Sequence, residues 1–198
     1  MTHFENLIKR RRSVYHLNTK VDLTQMQIMN LIRECVKECP TAFNSQSARI
    51  VVLFGESYQN FWQLVENKLK TIVSEEKFSA TKLRLDSFKS GIGTVLFFED
   101  MSVVQELQQK MPTYKNNFPL WAEQSNAILQ YMIWTALQEH HIGASLQHYN
   151  PLIDDEVKKI FKIPHDWRLI AQMPFGGIAV YPSEKTYLPI DERVRIFE

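Results

Sequence analysis

The sequence predicts an α+β layer fold. Three observations carry that expectation: helical apolar spacing fills much of the chain, a few short apolar runs read as strands, and the two kinds of element do not alternate in regular βαβ units. A dinucleotide-binding Rossmann arrangement is the poorer fit.

The elements follow in order. In "VDLTQMQIMNLIRECVKECP", Thr24 with Gln27 three positions on forms a capping box, and Ile28, Ile32, Cys35 or Val36, and Cys39 share one helical face until Pro40. "ARIVVLFGE" reads as a buried strand from about Ile50 to Phe54, ended by Gly55. "SYQNFWQLVENKLKTIVSEE" returns to helical spacing through Phe61, Leu64, Val65, Leu69 and Ile72. A second strand stands out in "GIGTVLFFED", between glycines and acidic residues. The longest apolar helix is expected from about Ala122 to His141, with Leu129, Met132, Ile133, Ala136 and Leu137 inward and Gly143 as its stop. "RLIAQMPFGGIAVYP" suggests two extended segments interrupted by Pro174, Gly176 and Gly177. The tail retains Leu188, Ile190, Val194, Ile196 and Phe197, too apolar for a disordered end, so it is expected to pack on this subunit or another. Pro112 to Pro119 reads as a structured connection, and no repeat or flexible linker divides residues 1–198, so a single domain is expected.

Composition limits the function. With 198 residues, 44% of them hydrophobic, the chain can bury a sizeable core without covalent staples. A formal charge of +1, from 23 basic and 22 acidic residues, makes the run Lys9 to Arg12 a local concentration, which weakens a nucleic-acid reading. Cys35 and Cys39, four apart on a helix, suit half-buried thiols in a reducing cytoplasm rather than a disulfide framework. The N-terminal stretch lacks the pattern of a secretory signal, and no segment approaches a membrane span, so neither membrane nor nucleic acid is expected as a partner.

Several chemistries lack their motifs. No GxGxxG follows an early strand, and Walker A, HExxH, GxSxG and repeated CxxC are absent. His140, His141 and His148 do not converge as a metal site, because adjacent helical residues point about 100° apart and Cys35 with Cys39 would need distant help. No metal is expected. Two loops look less routine. "PTAFNSQSAR" joins a helix to a buried strand and offers the amides of Asn44 and Gln46 to a heterocycle edge, or else Asn44 simply caps its own backbone. "GASLQHYNP" lets a flat ligand approach Gly143 and Ala144 beside Gln147 and His148, or else is a plain helix terminus and turn.

Taken in order, "RRRSVYHL", "PTAFNSQSARIVVLF", "GTVLFFED", "GASLQHYNPLID" and "AQMPFGG" resemble the FMN-dependent nitroreductase family, in its fatty-acid-repression-mutant-like branch, and are similar to a bacterial copper-induced nitroreductase. The resemblance spans almost the whole chain. It implies an α/β sandwich with a central, mainly antiparallel sheet, helices around it, and an intertwined homodimer holding two FMN molecules at its interface. It implies a cytoplasmic NAD(P)H oxidoreductase, linked to stress response, that reduces nitroaromatic compounds or quinones by a ping-pong mechanism. FMN would be the cofactor, NADH or NADPH the electron donor, and a small planar electron acceptor the second substrate.

The same resemblance assigns residues. Arg11 corresponds to the arginine at the pyrimidine side of the flavin, where a fixed positive charge favours electron density arriving on the ring. Arg12 and Ser13 correspond to ribityl or phosphate contacts, and Lys185 to a late basic residue near the phosphate. Pro40, Thr41, Ala42 and Asn44, with Gln46 close by, match a clasp contributed by the other subunit; Ser145, Leu146, Gln147 and His148 match the loop beside the isoalloxazine. No side chain is implied as a covalent catalyst, because the cofactor carries the hydride. Two positions depart from the family pattern: Tyr15 and Tyr187 stand where a second basic residue is common, which makes the expected phosphate site less electropositive. The rival readings are a flavin-binding redox or stress sensor and, less favoured, an RNA- or membrane-binding protein using the Lys9 to Arg12 patch.

Overall fold

A computed structural model describes residues 2–198. Its elements are α1 (His3–Arg10), β1 (Leu17–Asn18), α2 (Gln25–Glu38), β2 (Ala48–Phe54), α3 (Gly55–Lys70), α4 (Glu75–Lys89), β3 (Gly93–Asp100), α5 (Met101–Lys110), α6 (Phe118–Glu139), β4 (Ile142–Ala144), α7 (Asp154–Phe161) and β5 (Trp167–Ile178). The sheet runs β1-β5-β3-β2, with β4 also on β5, and every strand pair is antiparallel. The α+β sandwich with a mainly antiparallel sheet is therefore present.

β3 explains the layering. All eight of its residues are buried, and strand alternation sends Val95 and Phe97 to one face and Leu96 and Phe98 to the other. The first face packs on Ile28 and Ile32 of α2 and Leu129, Ile133 and Leu137 of α6. The second packs on Tyr58, Phe61, Trp62 and Val65 of α3, Leu85 and Phe88 of α4 and Val157 of α7. Each such side chain contributes about 1.5–3 kcal/mol by leaving water. α6 is the axis of the first layer, and its flanks carry polar side chains: Asn126 donates to the Phe98 carbonyl and to Glu99, and Gln130 to Asn126.

The capping box predicted for α2 forms as read, with the Thr24 hydroxyl accepting from the Gln27 amide and the Gln27 side chain accepting from Thr24. The connection Pro112 to Pro119 is ordered as a 3-10 turn leading into α6, with Pro119 in the first turn, where its missing N–H costs nothing.

The structure differs from expectation at several points. α6 starts four residues early, and its stop is His141 in the left-handed region at φ 56°, whereas Gly143 lies inside β4 opposite Gly176. The two segments expected around Pro174 are one 12-residue strand. Pro174 is tolerated because Gln172 turns its N–H toward Gln147, so by alternation residue 174 faces the same side, in the gap between that bridge and the Ala144–Phe175 pair. Helices α4 and α5 carry only two and one buried residues, too weak a stripe to announce themselves. Ile72 lies past the end of α3 and is exposed. The tail beyond Ile178 has no regular element except a 3-10 turn at Ile190–Glu192, and its Leu188, Ile190, Val194, Ile196 and Phe197 are all exposed, so it does not pack on this subunit.

Candidate active site

The basic strip leaves the end of α1 and runs beside β4. Ser13 bridges Ala144, and the Val14 amide donates to the Ala144 carbonyl at 2.9 Å. Within the strip the arginines diverge. The Arg11 guanidinium lies 4.2 Å from the centre of the Trp134 ring and 5.8 Å from that of Tyr131, an arrangement that favours a cation over an electron-rich face. Its Nε is buried and has no hydrogen-bond partner. Trp134 in turn donates from Nε1 to the Ala144 carbonyl, so Arg11, α6 and β4 hold one another. Arg10 donates to His141 Nδ1 at 2.8 Å, and Arg12 donates to the Ser183 carbonyl at 2.8 Å.

The loop after β4 is fastened to β5. Gln147 and Gln172 exchange backbone hydrogen bonds of 2.7 and 2.9 Å, and the fully buried Gln172 side chain accepts from the Tyr149 amide and donates to Asn150. Ser145 is fully buried and accepts from the Gln147 side chain, Leu146 and Gln147 are half-buried, and His148 is exposed. Because Gln147 faces β5, the Leu146 and His148 amides point the other way, and they meet no acceptor among the described residues. Two donors without an acceptor thus follow Ala144, the residue that Ser13 bridges.

Arg12's hold on Ser183 brings the segment that carries Lys185 alongside the strip. Lys185 is exposed, with its Nζ 5.3 Å from the centre of the Tyr187 ring. Tyr15 is exposed, and the Arg84 guanidinium lies 6.0 Å from its ring centre.

The residues Pro40 to Gln46 are elsewhere. Ala42 donates its amide to the Ser125 hydroxyl, Thr41 accepts from the Gln46 amide, and the Phe43 ring stacks on Trp121 near the start of α6. Phe43, Asn44 and Gln46 all have positive φ, a conformation that L residues hold only when their surroundings impose it. Ser125 and Trp134 are separated by roughly 13 Å along α6 at 1.5 Å per residue, so one chain does not bring this turn to Arg11. Thr41 and Gln46 instead line a cavity of about 940 Å³ with Met29, Ile32, Val52 and Trp167.

Beneath the turn lies Glu99, fully buried; burial pushes its carboxyl above the usual range, against a hydrogen bond from Asn126. Nearby, burial likewise pushes the Cys39 thiol up, and that of Cys35 to about 11, so both are poor thiolates. Sequence reasoning did not single out Trp134, Tyr131, Gln172 or Glu99. Gln172 alone left a signal, as a polar residue inside an apolar strand.

A family model described as the nitroreductase family matches residues 8–177. The chain belongs to the nitroreductase family. Solved structures of the nitroreductase CinD from Lactococcus lactis, one in complex with nicotinic acid and one with 4-nitrophenol, are similar to it: each is 39% identical and covered in full by 98% of this chain, with TM-scores of 0.92 and 0.89. The nitroreductase FRM2 of Saccharomyces cerevisiae is 30% identical over 190 residues, 94% of this chain and 93% of that protein. A nitroreductase from Desulfitobacterium hafniense with bound FMN, 15% identical with a TM-score of 0.71 over both whole chains, shares the fold. Within this nitroreductase-family chain, the basic strip, β4, the loop after it and the middle of β5 all lie inside the matched span, whereas Lys185 and Tyr187 lie beyond it.

Proposed function

We propose that the chain is an FMN-dependent oxidoreductase that reduces small nitroaromatic compounds or quinones at the expense of NADH or NADPH. When bound, FMN supplies the redox chemistry, accepting electrons from the nicotinamide and delivering them to the acceptor in separate half-reactions. The observation that carries the reading is the buried Arg11 Nε with no acceptor, fixed on Trp134, together with two loop amides that lack an acceptor. An unpartnered buried donor is costly, and a flavin's pyrimidine oxygens are acceptors suited to it. The group fits these residues.

Each residue then has a task. Arg11 sets a permanent positive charge, held in place by the indole, against the electron-rich edge of the ring. Leu146 and His148 direct amide donors at the ring; since these are backbone groups, side-chain identity there matters less than the loop's attachment to Gln172. The Ser13 hydroxyl and Lys185 serve the ribityl chain and phosphate, and Arg12 acts from behind by holding Ser183. Protons come from solvent. The acceptor class is suggested by CinD, whose structures hold 4-nitrophenol and nicotinic acid, both small planar aromatics.

The clasp formed by Pro40, Thr41, Ala42, Asn44 and Gln46 comes from a second copy in this proposal. Three features support a homodimer: the roughly 13 Å along α6 between the clasp and Arg11 in one chain, the exposed apolar tail, and the large cavity lined by Met29, Ile32 and Val52.

Purified protein should carry or take up FMN, seen as a flavin spectrum with FMN released on denaturation. Arg11→Ala should lower both FMN affinity and the rate of flavin reduction by at least tenfold. Failure to bind added FMN would reject the assignment.

A further inference from the structure

The two oxygens of the fully buried Glu99 carboxyl, next to last in β3, are unequally provided for. Oε1 accepts from Asn126, whose orientation is fixed because its Oδ1 accepts from Gln130 and its amide nitrogen also reaches the Phe98 carbonyl. Oε2 is buried without a hydrogen-bond partner, and so is the hydroxyl of Ser47, a group that acts on the same carboxyl. One hydrogen between those two oxygens would serve both, and burial decides where it comes from by disfavouring the charged carboxylate.

The charged and titratable neighbours do not reverse that preference. Arg168, opposite Glu99 on β5, places its terminal nitrogen on Glu123 of α6, and Arg49 of β2 is held by the Asp100 carboxylate and the Gln46 and Ala48 carbonyls. Cys39, after α2, directs its thiol at the Pro40 and Ser125 carbonyls. Both arginines favour ionisation of Glu99, and burial outweighs them. The cover over this carboxyl is weakest at residues 40–47. Ser47 alone is buried there, Phe43, Asn44 and Gln46 hold positive φ, and the Ala42 amide rests on Ser125, the neighbour of Asn126.

We propose that Glu99 and Ser47 form a proton-dependent latch on the turn at residues 40–47. With the carboxyl neutral, the latch is closed. Lifting the turn admits water to the carboxyl, which then ionises, so opening releases one proton and becomes easier as pH rises. Opening therefore grows by up to about tenfold per pH unit between the range in which an exposed glutamate ionises and the raised value in the closed protein, and levels off above it. Where the turn serves as a clasp on FMN, a consequence that rests on the function proposed above, cofactor retention falls in step.

The test is hydrogen exchange read by mass spectrometry on peptides spanning residues 40–47 and 122–130, in flavin-free and FMN-loaded full-length protein over a pH series, with rates divided by those of unstructured peptides. In the parent, protection of the turn should fall by about tenfold or more across that window while 122–130 stays protected. Glu99→Gln keeps an acceptor for Asn126 and cannot ionise, so its turn should stay equally protected throughout. Ser47→Ala, a second variant that leaves Glu99 in place, should expose the turn at low pH and converge on the parent at high pH. A parallel fall in parent and Glu99→Gln, a Ser47→Ala turn as protected as the parent's at low pH, or loss of protection at 122–130 together with the turn would each overturn the latch. FMN affinity that stays level while the turn opens would support the latch and strike the clasp assignment instead.

Discussion

Gln172 directs both its backbone and its side chain at residues 147 to 150. Replacing it with Leu strips the Tyr149 amide of its acceptor in a buried setting, which costs about 1–3 kcal/mol and should appear as a lower urea midpoint. The same variant should slow flavin reduction, because the loop proposed to face the ring loses its anchor; Gln172→Glu, which keeps an acceptor for Tyr149, should recover part of that rate. Glu99 gives a prediction of opposite sign. Burial holds its carboxyl protonated above the pH at which an unfolded glutamate ionises, so the stability it contributes is full at low pH and is lost as pH rises through the raised value. Glu99→Gln keeps the Asn126 contact without the ionisation. The variant should gain stability relative to the parent as pH rises from the range in which an unfolded glutamate ionises through the raised value, read from denaturation midpoints across a pH series; a parallel pH dependence in the two proteins would contradict this.

At the scale of elements, the structure depends on close backbone approach around β1, β4 and β5. A side-chain carbon at Gly177 would stand 2.2 Å from both Asn18 Oδ1 and the Lys20 carbonyl, so Gly177→Ala should separate β1 from β5 and lower the melting temperature by several degrees. The glycines at 176 and 177 therefore permit packing inside one strand, whereas sequence alone reads them as interruptions. The same limit recurs elsewhere. α2, β2, β3 and α6 were legible because their apolar spacing is strong, and the "RRRS", "PTAFN" and "GASLQ" stretches were legible as loops of unusual composition. α4 and α5 were not, since few of their residues are buried. Trp134 and Gln172 look like ordinary core residues until the fold puts Trp134 under Arg11 and Gln172 behind the loop. Arg12 changed most: its guanidinium tethers Ser183 on the far side of the strip from Arg11.

At the scale of the whole molecule, Ile196 and Phe197 are 81% and 89% exposed, and the turn at residues 40–46, proposed as the clasp, packs on Ser125 away from Arg11. Sedimentation at twice 23.3 kDa is the expected result. The double variant Ile196→Asp, Phe197→Asp should shift the protein toward monomer and lose FMN in the same range of protein concentration, because the clasp would then come from no neighbour. Among the described residues no helix is long and apolar enough to cross a membrane. The central claim is a redox site worked in two separate half-reactions, and it is tested most directly by anaerobic stopped-flow absorbance of the FMN-loaded protein. NADH or NADPH alone should bleach the oxidised flavin band, and a nitroaromatic or quinone added afterwards, with no nicotinamide present, should restore it. A flavin band that does not bleach with either nicotinamide, or that bleaches but is not restored by either acceptor, would contradict the account.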